Sequence, residues 1–504
     1  MERLTGDPAY DDQASWSPDG TRIAFVSTRR SGRTRIWLLD VATKRAESIT
    51  ADAGADFRPS WSPDSQWIAF SSDRGTRIER DLPEWEHLHR TSIYLIRPNG
   101  RGLRRLTDGS HFAGSPRWSP DGKRIVFYEM NVFDTLKARD VEERQSQVVS
   151  QIVSVDIETG ARREHTSGGG LKVSPQYLDG SRIGYLVKAG AHPGIAYTSG
   201  ERGTAGEIRN PTWSSDGRRV TYDRGRAGTR VSYEPLQKLH SGNTPFELAH
   251  LGRLAAFSFD GRRLAASEPV GDEWAITVMD ADGTSRERIF FEKGAAALGP
   301  QWSRDGQRIV FGLAGDFVTR NMPARIMMMH ADGSNVRVLA TGAGAGFPSL
   351  SPDGQRLVFR VWGKGSDERG LRILTLKSGA VTRLTGDEHD TFPGWSPRGD
   401  LIAFTSWRNG DFDIYTIRPD GTALKQLTNT PGNDAHSSWS PDGEYLMFSS
   451  SRLGFKDEGP LSDDQPQPYG EIFVMRADGT QQRPVTDNQW EDGPGAWQPT
   501  PNRH

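Results

Sequence analysis

The chain opens its first repeat with Ser15-Trp16-Ser17-Pro18-Asp19-Gly20, the stretch that decides the fold because it occurs ten times, in closer or looser form, along the 504 residues. An apolar run at residues 22–25, a second run at 36–40 and a Ser-Ile-Thr ending at 48–50 complete the first repeat. Repeats start near residues 15, 60, 117, 172, 212, 256, 301, 349, 394 and 438. A period of about 45 residues is the length of one four-stranded propeller blade. The sequence therefore predicts an all-β propeller whose ten four-stranded blades fill residues 1–504.

Each repeat carries the signals of four short strands, which we denote A to D. In the Ser-Pro-Asp-Gly turn, proline presets φ, aspartate accepts backbone N–H groups and glycine supplies a positive φ. Runs such as Arg124 to Phe127 alternate in hydrophobicity, which is typical of β-strands. Because antiparallel strands reverse at each turn, the A–B turns should lie on one face of a blade, with the D–A and B–C connections on the other.

The composition excludes several classes of function. The net charge of −2 provides no basic stripe, so no nucleic-acid partner is expected. Cysteine is absent, which excludes disulfides and thiolate metal sites. No apolar run reaches 18 residues, so no membrane span is expected. The polar start, Met1 to Thr5, looks like a strand ending rather than a signal peptide, which favours a mature or trimmed form.

Ten blades exceed the four to eight that most propellers contain, so one large ring and two abutting rings are both possible. The most regular repeats lie at the two ends of the chain, and no linker-like stretch divides it. This arrangement favours one closed assembly. The oligomeric state stays open.

Polar and aromatic residues concentrate in the D–A segments of the regular repeats, on the face opposite the Ser-Pro-Asp-Gly turns. The B–C connections on that face are enlarged at residues 80–89, 129–151 and 452–470. Long loops on a rigid scaffold usually carry function. We therefore expect a ligand-binding surface formed by Asp12, Asp56, Phe57, His111, Phe112, His389, Asp390, Phe392, Asp434, His436, Trp490, Glu491 and Asp492.

Three interpretations of this surface are open. The acidic residues could cap turns, which is the ordinary use of aspartate there. The aromatic residues, with Trp85, could anchor a protein or polymer inside a rim of carboxylates. His111, His389 and His436 could converge on one divalent metal ion, whereas the other two interpretations require no cofactor.

The consensus Trp-Ser-Pro-Asp-Gly, Ile-Ala-Phe, Asp-Ile-Tyr, Asp-Gly and Leu-Thr resembles the WD40-like repeat of the TolB family of β-propellers. The resemblance covers nearly the whole chain. It implies a non-catalytic scaffold that binds a protein or polymer on its loop-rich face, in a bacterial periplasm or outside the cell. Related repeats also occur in oligogalacturonate lyases and protease propellers. The alternatives are therefore a metal-assisted glycan lyase or hydrolase, and the propeller part of a larger protease-like or amidohydrolase-like protein.

Overall fold

The computed structural model describes residues 4–7, 9–51, 53–76, 88–138, 142–206, 208–214, 217–224, 238–239, 248–249, 253–271, 273–314, 323–361, 369–461, 470–487 and 492–499. The chain divides into two compact units. The first unit comprises Met1–Ser232, Leu453–Pro468 and Asp487–Glu491. The second unit comprises Tyr233–Arg452, Tyr469–Thr486 and Asp492–His504.

The first unit contains four four-stranded sheets, and two strands of a further sheet are described. Within each sheet the strands follow chain order and pair with their neighbours. The strands are β1 (Asp11–Trp16), β2 (Arg22–Ser27), β3 (Arg35–Asp40), β4 (Ala46–Ser48); β5 (Asp56–Trp61), β6 (Ile68–Ser72), β7 (Ser92–Ile96), β8 (Arg104–Arg105); β9 (Phe112–Trp118), β10 (Arg124–Met130), β11 (Ser150–Asp156), β12 (Arg162–Glu164); β13 (Leu171–Tyr177), β14 (Ile183–Ala189), β15 (Gly194–Tyr197), β16 (Arg202–Ala205); β17 (Ile208–Trp213) and β18 (Val220–Arg224). Its helices are α1 (Asp134–Lys137), α2 (Glu142–Gln145) and a 3₁₀ turn at Gly459–Leu461.

The second unit contains a short strand pair and five four-stranded sheets, two of which are joined by a single parallel bridge between Trp274 and Ala296. Its strands are β19 (Lys238–Leu239), β20 (Leu248–Ala249); β21 (Arg253–Phe257), β22 (Arg263–Val270), β23 (Glu273–Asp280), β24 (Glu287–Phe290); β25 (Ala296–Trp302), β26 (Arg308–Ala314), β27 (Pro323–His330), β28 (Arg337–Ala343); β29 (Gly346–Leu350), β30 (Arg356–Val361), β31 (Gly370–Thr375), β32 (Val381–Arg383); β33 (Thr391–Trp395), β34 (Ile402–Ser406), β35 (Asp413–Ile417), β36 (Lys425–Gln426); β37 (Asp434–Trp439), β38 (Tyr445–Ser450), β39 (Glu471–Arg476) and β40 (Arg483–Pro484). The all-β prediction is confirmed. Ten complete blades in one closed assembly stay a prediction, since the chain divides into two compact units.

The signature turn owes its sequence to a small hydrogen-bond network. In the first repeat the Ser17 hydroxyl donates to the Asp19 carboxylate at 2.6 Å and accepts the Arg22 N–H at 2.9 Å. The hydrogen bond from Ser17, with those from Thr21, lowers the pKa of Asp19 to about 2. Gly20 has φ +71°, which L side chains rarely adopt. The same Ser–Asp bond recurs, for example at Ser119 and at Ser440, so the turn is structural.

In several sheets the signature tryptophan donates a hydrogen bond to the first strand of the preceding sheet. The Trp61 indole donates to the Ser15 carbonyl at 3.1 Å and the Trp118 indole donates to the Ser60 carbonyl at 3.0 Å. Trp302 makes the equivalent bond to Ala256 in the second unit, at 3.0 Å. Trp118 and Trp302 are buried within the apolar layers that separate neighbouring sheets.

Every described sheet except the β19–β20 pair has a bulge in its first strand, at the residue three positions before the signature tryptophan or the residue that replaces it. The register between the first two strands shifts there, and φ lies between +47° and +61°. The bulge residues are Gln13, Arg58, Ser115, Ser174, Asn210, Leu254, Gly299, Phe347, Phe392 and His436. A non-glycine residue in this left-handed conformation costs about 1–2 kcal/mol. Because a bulge redirects its side chain, these ten positions are candidates for a binding site.

Candidate functional site

The bulge residues differ in chemistry between the two units. Those of the first unit are all polar: Gln13, Arg58, Ser115, Ser174 and Asn210. Those of the second unit are apolar or aromatic apart from a glycine and a histidine: Leu254, Gly299, Phe347, Phe392 and His436. The same backbone bulge therefore presents a polar surface in the first unit and a mostly apolar surface in the second.

In the second unit all five bulge residues line one cavity of about 220 Å³, which we call the aromatic cavity. The first strands β21, β25, β29, β33 and β37 each contribute to its wall. The cavity extends past Trp395 and Trp439 to Pro397 and Pro441 of the signature turns. The cavity therefore reaches from the bulges toward the signature turns, which the sequence indicated as structural, and not only toward the expected loop-rich face.

Aromatic contacts connect the bulge residues of the aromatic cavity. The ring centroids of Phe347 and Phe392 are 4.3 Å apart, and those of Phe392 and His436 are 4.0 Å apart. The Arg360 guanidinium lies 4.6 Å from the centre of the Phe347 ring, and its Nη1 donates to the Thr391 hydroxyl at 3.0 Å. The wall is therefore apolar, and the Arg360 guanidinium makes a cation–π contact with one of its aromatic rings.

His436 contributes a neutral imidazole to this wall. Burial lowers its pKa from 6.5 to about 3, and Nδ1 lies 3.3 Å from the Ser449 hydroxyl. A neutral ring at pH 7 adds one weakly polar group without adding charge. The cavity thus favours an apolar or aromatic group over an ion.

The C-terminal segment at residues 494–499 completes the wall of the aromatic cavity. The Trp497 indole donates to the Ser438 carbonyl at 3.0 Å, which repeats the bond that the signature tryptophans make. The Gln498 amide donates to the Gly261 carbonyl at 3.1 Å, in the turn after β21. This segment therefore takes the position of a further first strand beside β37.

In the first unit the polar bulge residues contact a segment of the chain itself, residues 455–460, which we call the inserted segment. The Gln13 amide donates to the Lys456 carbonyl at 3.2 Å. The Arg58 guanidinium forms a two-pronged ion pair with Asp457, in which Nε donates to Oδ1 at 2.9 Å. Both acceptors lie on the connection between β38 and β39, which belongs to the first unit.

Glu458 is the most deeply held residue of the inserted segment. Its carboxylate accepts the Ser115 N–H at 2.6 Å, the Ser115 hydroxyl at 2.8 Å and the Tyr128 hydroxyl at 2.9 Å, and it accepts the Ser71 hydroxyl as well. Its side chain is inaccessible to solvent. Burial raises the pKa of the Glu458 carboxyl, while Arg58 acts in the opposite direction.

Gly114 leaves the space that Glu458 fills. A Cβ at this position would lie 2.6 Å from Oε2 of Glu458 and 2.8 Å from Cζ of Tyr128. Gly114 precedes the bulge residue Ser115, so the glycine and the bulge together make room for the carboxylate and donate hydrogen bonds to it.

His89 holds the inserted segment by its backbone and by an aromatic contact. The Gly459 N–H donates to Nδ1 of His89 at 3.0 Å, and the imidazole stacks on Phe455 with centroids 4.2 Å apart. The ring centroids of Phe57 and Phe112 lie 5.6 and 5.3 Å from that of His89, both in edge-to-face geometry. Phe57 and Phe112, predicted as ligand anchors, are fully buried in this packing.

Three of the predicted aspartates form ion pairs inside their own sheets. Asp56 pairs with Arg74 at 2.6 Å, Asp390 pairs with Arg408 at 2.6 Å, and Asp434 pairs with Arg452. Burial raises the pKa of all three carboxyls. Each guanidinium also lies within 5.5 Å of two aromatic rings of its sheet. These pairs account for the aspartates without a ligand.

The other predicted residues are dispersed. Asp12 is exposed and accepts the Tyr10 hydroxyl at 2.6 Å, and His111 is exposed beside Ser110. The Asp492 N–H donates to the Gly470 carbonyl at 3.0 Å. Trp490, Glu491 and Trp85 lie outside the described residues.

The structure brings no metal-ligand set together in the part of the chain that it describes. His111 belongs to the first unit, whereas His389 and His436 belong to the second. His389 lies 3.4 Å from Asp387 and faces the Trp407 ring at 5.1 Å. Among the described residues, no group of three or more His, Asp or Glu side chains could hold a metal ion.

Sequence reasoning missed most of both sites. Of the ten bulge residues it selected Phe392 and His436, and it did not select Arg58, Ser115, Asp457 or Glu458. One signal was available, because each bulge residue stands at the same offset from the signature tryptophan. Nothing in the repeat indicates that residues 455–460 pack against the sheets of the first unit.

Comparison with known proteins identifies the repeat. A model of the TolB beta propeller domain matches residues 9–79 and 313–457. A "Protein TolB homolog" of Chlorobium luteolum is 30% identical over 151 residues, which represent 30% of this chain and 34% of that protein. The chain thus spans about a third of the length of this relative.

Two solved structures are also similar. One is a TolB of Agrobacterium tumefaciens, with 20% identity, a TM-score of 0.40, and coverage of 50% of this chain and 87% of the other. The second is an oligogalacturonate lyase in complex with manganese, with 15% identity, a TM-score of 0.31, and coverage of 82% and 91%. The family match, together with the antiparallel sheets, confirms the prediction of a TolB-like propeller. Among the described helices, none combines the length and apolar character that a membrane crossing needs.

Proposed function

Because the chain carries TolB-type β-propeller repeats, we propose that it is a non-catalytic scaffold that binds a segment of a protein partner in the aromatic cavity of its second unit. The observation that carries this proposal is the cavity itself, into which five bulge residues converge. Its volume, about 220 Å³, is below the roughly 300–1,000 Å³ of small-molecule sites. A cavity of this size takes one or two side chains of a segment.

The chemistry of the wall defines the segment. Phe347, Phe392 and Leu254 provide an apolar surface, and His436 is neutral at pH 7. Aromatic side chains at the centre of a concave surface are typical binding hot spots. We therefore expect the partner to insert an aromatic or large aliphatic side chain. Phe392 and His436 are the two ligand contacts that we retain from the sequence-based surface.

The resemblance to TolB extends the proposal to location. We place the protein in a bacterial periplasm or outside the cell, where a TolB-type scaffold would meet its partner. Fractionation of the source cells with antibody detection tests this placement independently of binding.

Selection from a displayed random-peptide library tests the proposed function. The library is selected on the wild-type protein and depleted on the Phe347→Ala/Phe392→Ala double variant. We expect enriched peptides with one aromatic residue, and calorimetry should show at least tenfold weaker binding to the double variant. A tenfold loss corresponds to about 1.4 kcal/mol, within the range of a single hot-spot contact.

Phe291→Ala provides the matched control, because Phe291 is 40% exposed and does not line the cavity. Its affinity for the selected peptides should equal that of the wild type. Selection that yields no enrichment, or peptides that bind the double variant equally well, would contradict the proposal.

A further inference from the structure

The inserted segment is held in the way that a binding site holds a ligand. Donors from three different sheets of the first unit contact it: Gln13 and Arg58 at their bulges, and Ser115 with Tyr128 on the third sheet. Backbone groups of the segment are recognised as well, its Lys456 carbonyl by Gln13 and its Gly459 N–H by His89. This combination of side-chain and backbone recognition is typical of peptide binding.

Most donors of this site face acidic side chains of the inserted segment. Four hydrogen bonds converge on the Glu458 carboxylate, and a planar guanidinium faces Asp457. Bonds to charged groups are stronger than neutral ones, and Arg–carboxylate pairs add geometric specificity. The donors are buried around a space without room for a larger side chain at Gly114. An amide or apolar residue in place of Glu458 would leave such donors unsatisfied.

The segment is not integrated into the secondary structure that surrounds it. Residues 453–461 belong to no strand of the described sheets and contain only the 3₁₀ turn. Its other anchors include the Lys456 ammonium, 3.0 Å from Asp487, and the stacking of Phe455 on His89. Loops without ladder hydrogen bonds open more readily than the sheets beneath them.

We infer that the polar bulge residues of the first unit form a second binding site, made for an acidic Asp-Glu peptide segment, and that residues 455–460 are its resident, exchangeable ligand. This inference does not rest on the proposed function of the aromatic cavity. It assigns peptides of opposite character to the two units, acidic for the first and aromatic for the second.

A peptide offered in trans tests the inference. In the full chain, residues 455–460 are replaced by Gly-Ser-Gly-Ser-Gly-Ser, and the probe is the synthetic peptide Leu-Gly-Phe-Lys-Asp-Glu-Gly-Pro-Leu, which corresponds to residues 453–461. Calorimetry should show binding to the replacement variant. Wild-type protein should bind the peptide at least tenfold more weakly, because its own segment competes.

Two matched controls establish acid recognition. A peptide with the Glu458→Gln change should bind the replacement variant at least tenfold more weakly. The Arg58→Gln change in the replacement variant should weaken binding of the original peptide by a similar factor. Equal binding of the two peptides would overturn the inference, as would a folded replacement variant that binds neither.

Folding of the replacement variant is itself informative. Circular dichroism should match the wild type, and urea denaturation should still show one cooperative transition, at a midpoint lowered by the loss of the buried contacts of Glu458. A variant that does not fold would show that residues 455–460 are part of the core rather than an exchangeable ligand, and the inference would be wrong.

Discussion

The two units place the same bulge at the same position of each first strand, yet they present opposite chemistry there. In the first unit, Arg58 and Ser115 hold the carboxylates of Asp457 and Glu458. In the second, Phe392 and His436 line a cavity without a charged bulge residue. The difference shows that a repeat scaffold can keep its backbone and change its recognition through one residue per blade.

The largest effect should come from the scaffold that the two units share. Trp118→Ala and Trp302→Ala each remove a buried indole and its bond to the preceding sheet, so each should lower the free energy of unfolding by about 3–5 kcal/mol. Urea denaturation measures both. Trp16→Ala is the control, because Trp16 is 57% exposed and should cost less than about 1 kcal/mol. Unequal losses at Trp118 and Trp302 would break the claim of a common scaffold.

Acid should affect the second unit through His436. The folded pKa of about 3 lies below the ordinary 6.5, so the neutral ring contributes stability that is complete above pH 6.5 and declines as the pH falls toward 3. The loss due to His436 should reach about 2 kcal/mol between roughly pH 6.5 and pH 4.5. The difference between wild-type and His436→Phe urea midpoints across this range measures it. Parallel curves for the two proteins would contradict the assignment.

Gly114→Ala tests the space reserved for Glu458 in the first unit. Because the added methyl would overlap both Glu458 and Tyr128, we expect a loss of about 1–3 kcal/mol in stability. In the second unit Thr391 and Ala435 occupy the equivalent place, one residue before the bulge. Gly180→Ala is the control, since no atom lies within 4 Å of its Cβ position.

A double-mutant cycle sharpens this test. Part of the Gly114→Ala loss should disappear when Glu458→Ala is already present, because one of the two overlapping groups is gone. An undiminished loss would assign the overlap to Tyr128 alone.

The smallest effect concerns the aromatic contacts of the second unit. Phe347→Leu keeps an apolar side chain and removes the ring contacts with Phe392 and Arg360, so stability should fall by only about 0.5–1.5 kcal/mol. Peptides selected on the aromatic cavity should nevertheless bind more weakly. A loss of stability without a loss of affinity would indicate a purely structural ring.

Local features of the fold were predictable from the sequence because they repeat. The Ser–Asp turn and the signature tryptophans lie where the repeat places them. The buried Asp–Arg pairs also follow a fixed spacing, 18 residues in each case, as in Asp56–Arg74 and Asp434–Arg452. The 18-residue spacing is visible in the sequence. The sequence does not show that these carboxylates are buried, however, and the sequence analysis therefore placed them on a ligand-binding surface.

The sites were less predictable, because they depend on contacts between residues distant in the chain. Glu458 meets Ser115 across 343 residues, and no local pattern near either residue indicates the pairing. The aromatic cavity similarly gathers one residue from each of five sheets. Each bulge residue alone looks like an ordinary member of a strand.

The left-handed bulges imply a conflict between the stability of the folded protein and its binding of ligands. Nine of the ten positions carry a side chain where glycine would be unstrained, and only Gly299 avoids the penalty. Selection for heat resistance alone should therefore drift these positions toward glycine, at a gain of up to about 1–2 kcal/mol each. A variant stabilised by glycine at these positions would keep its propeller fold and lose its selectivity between ligands.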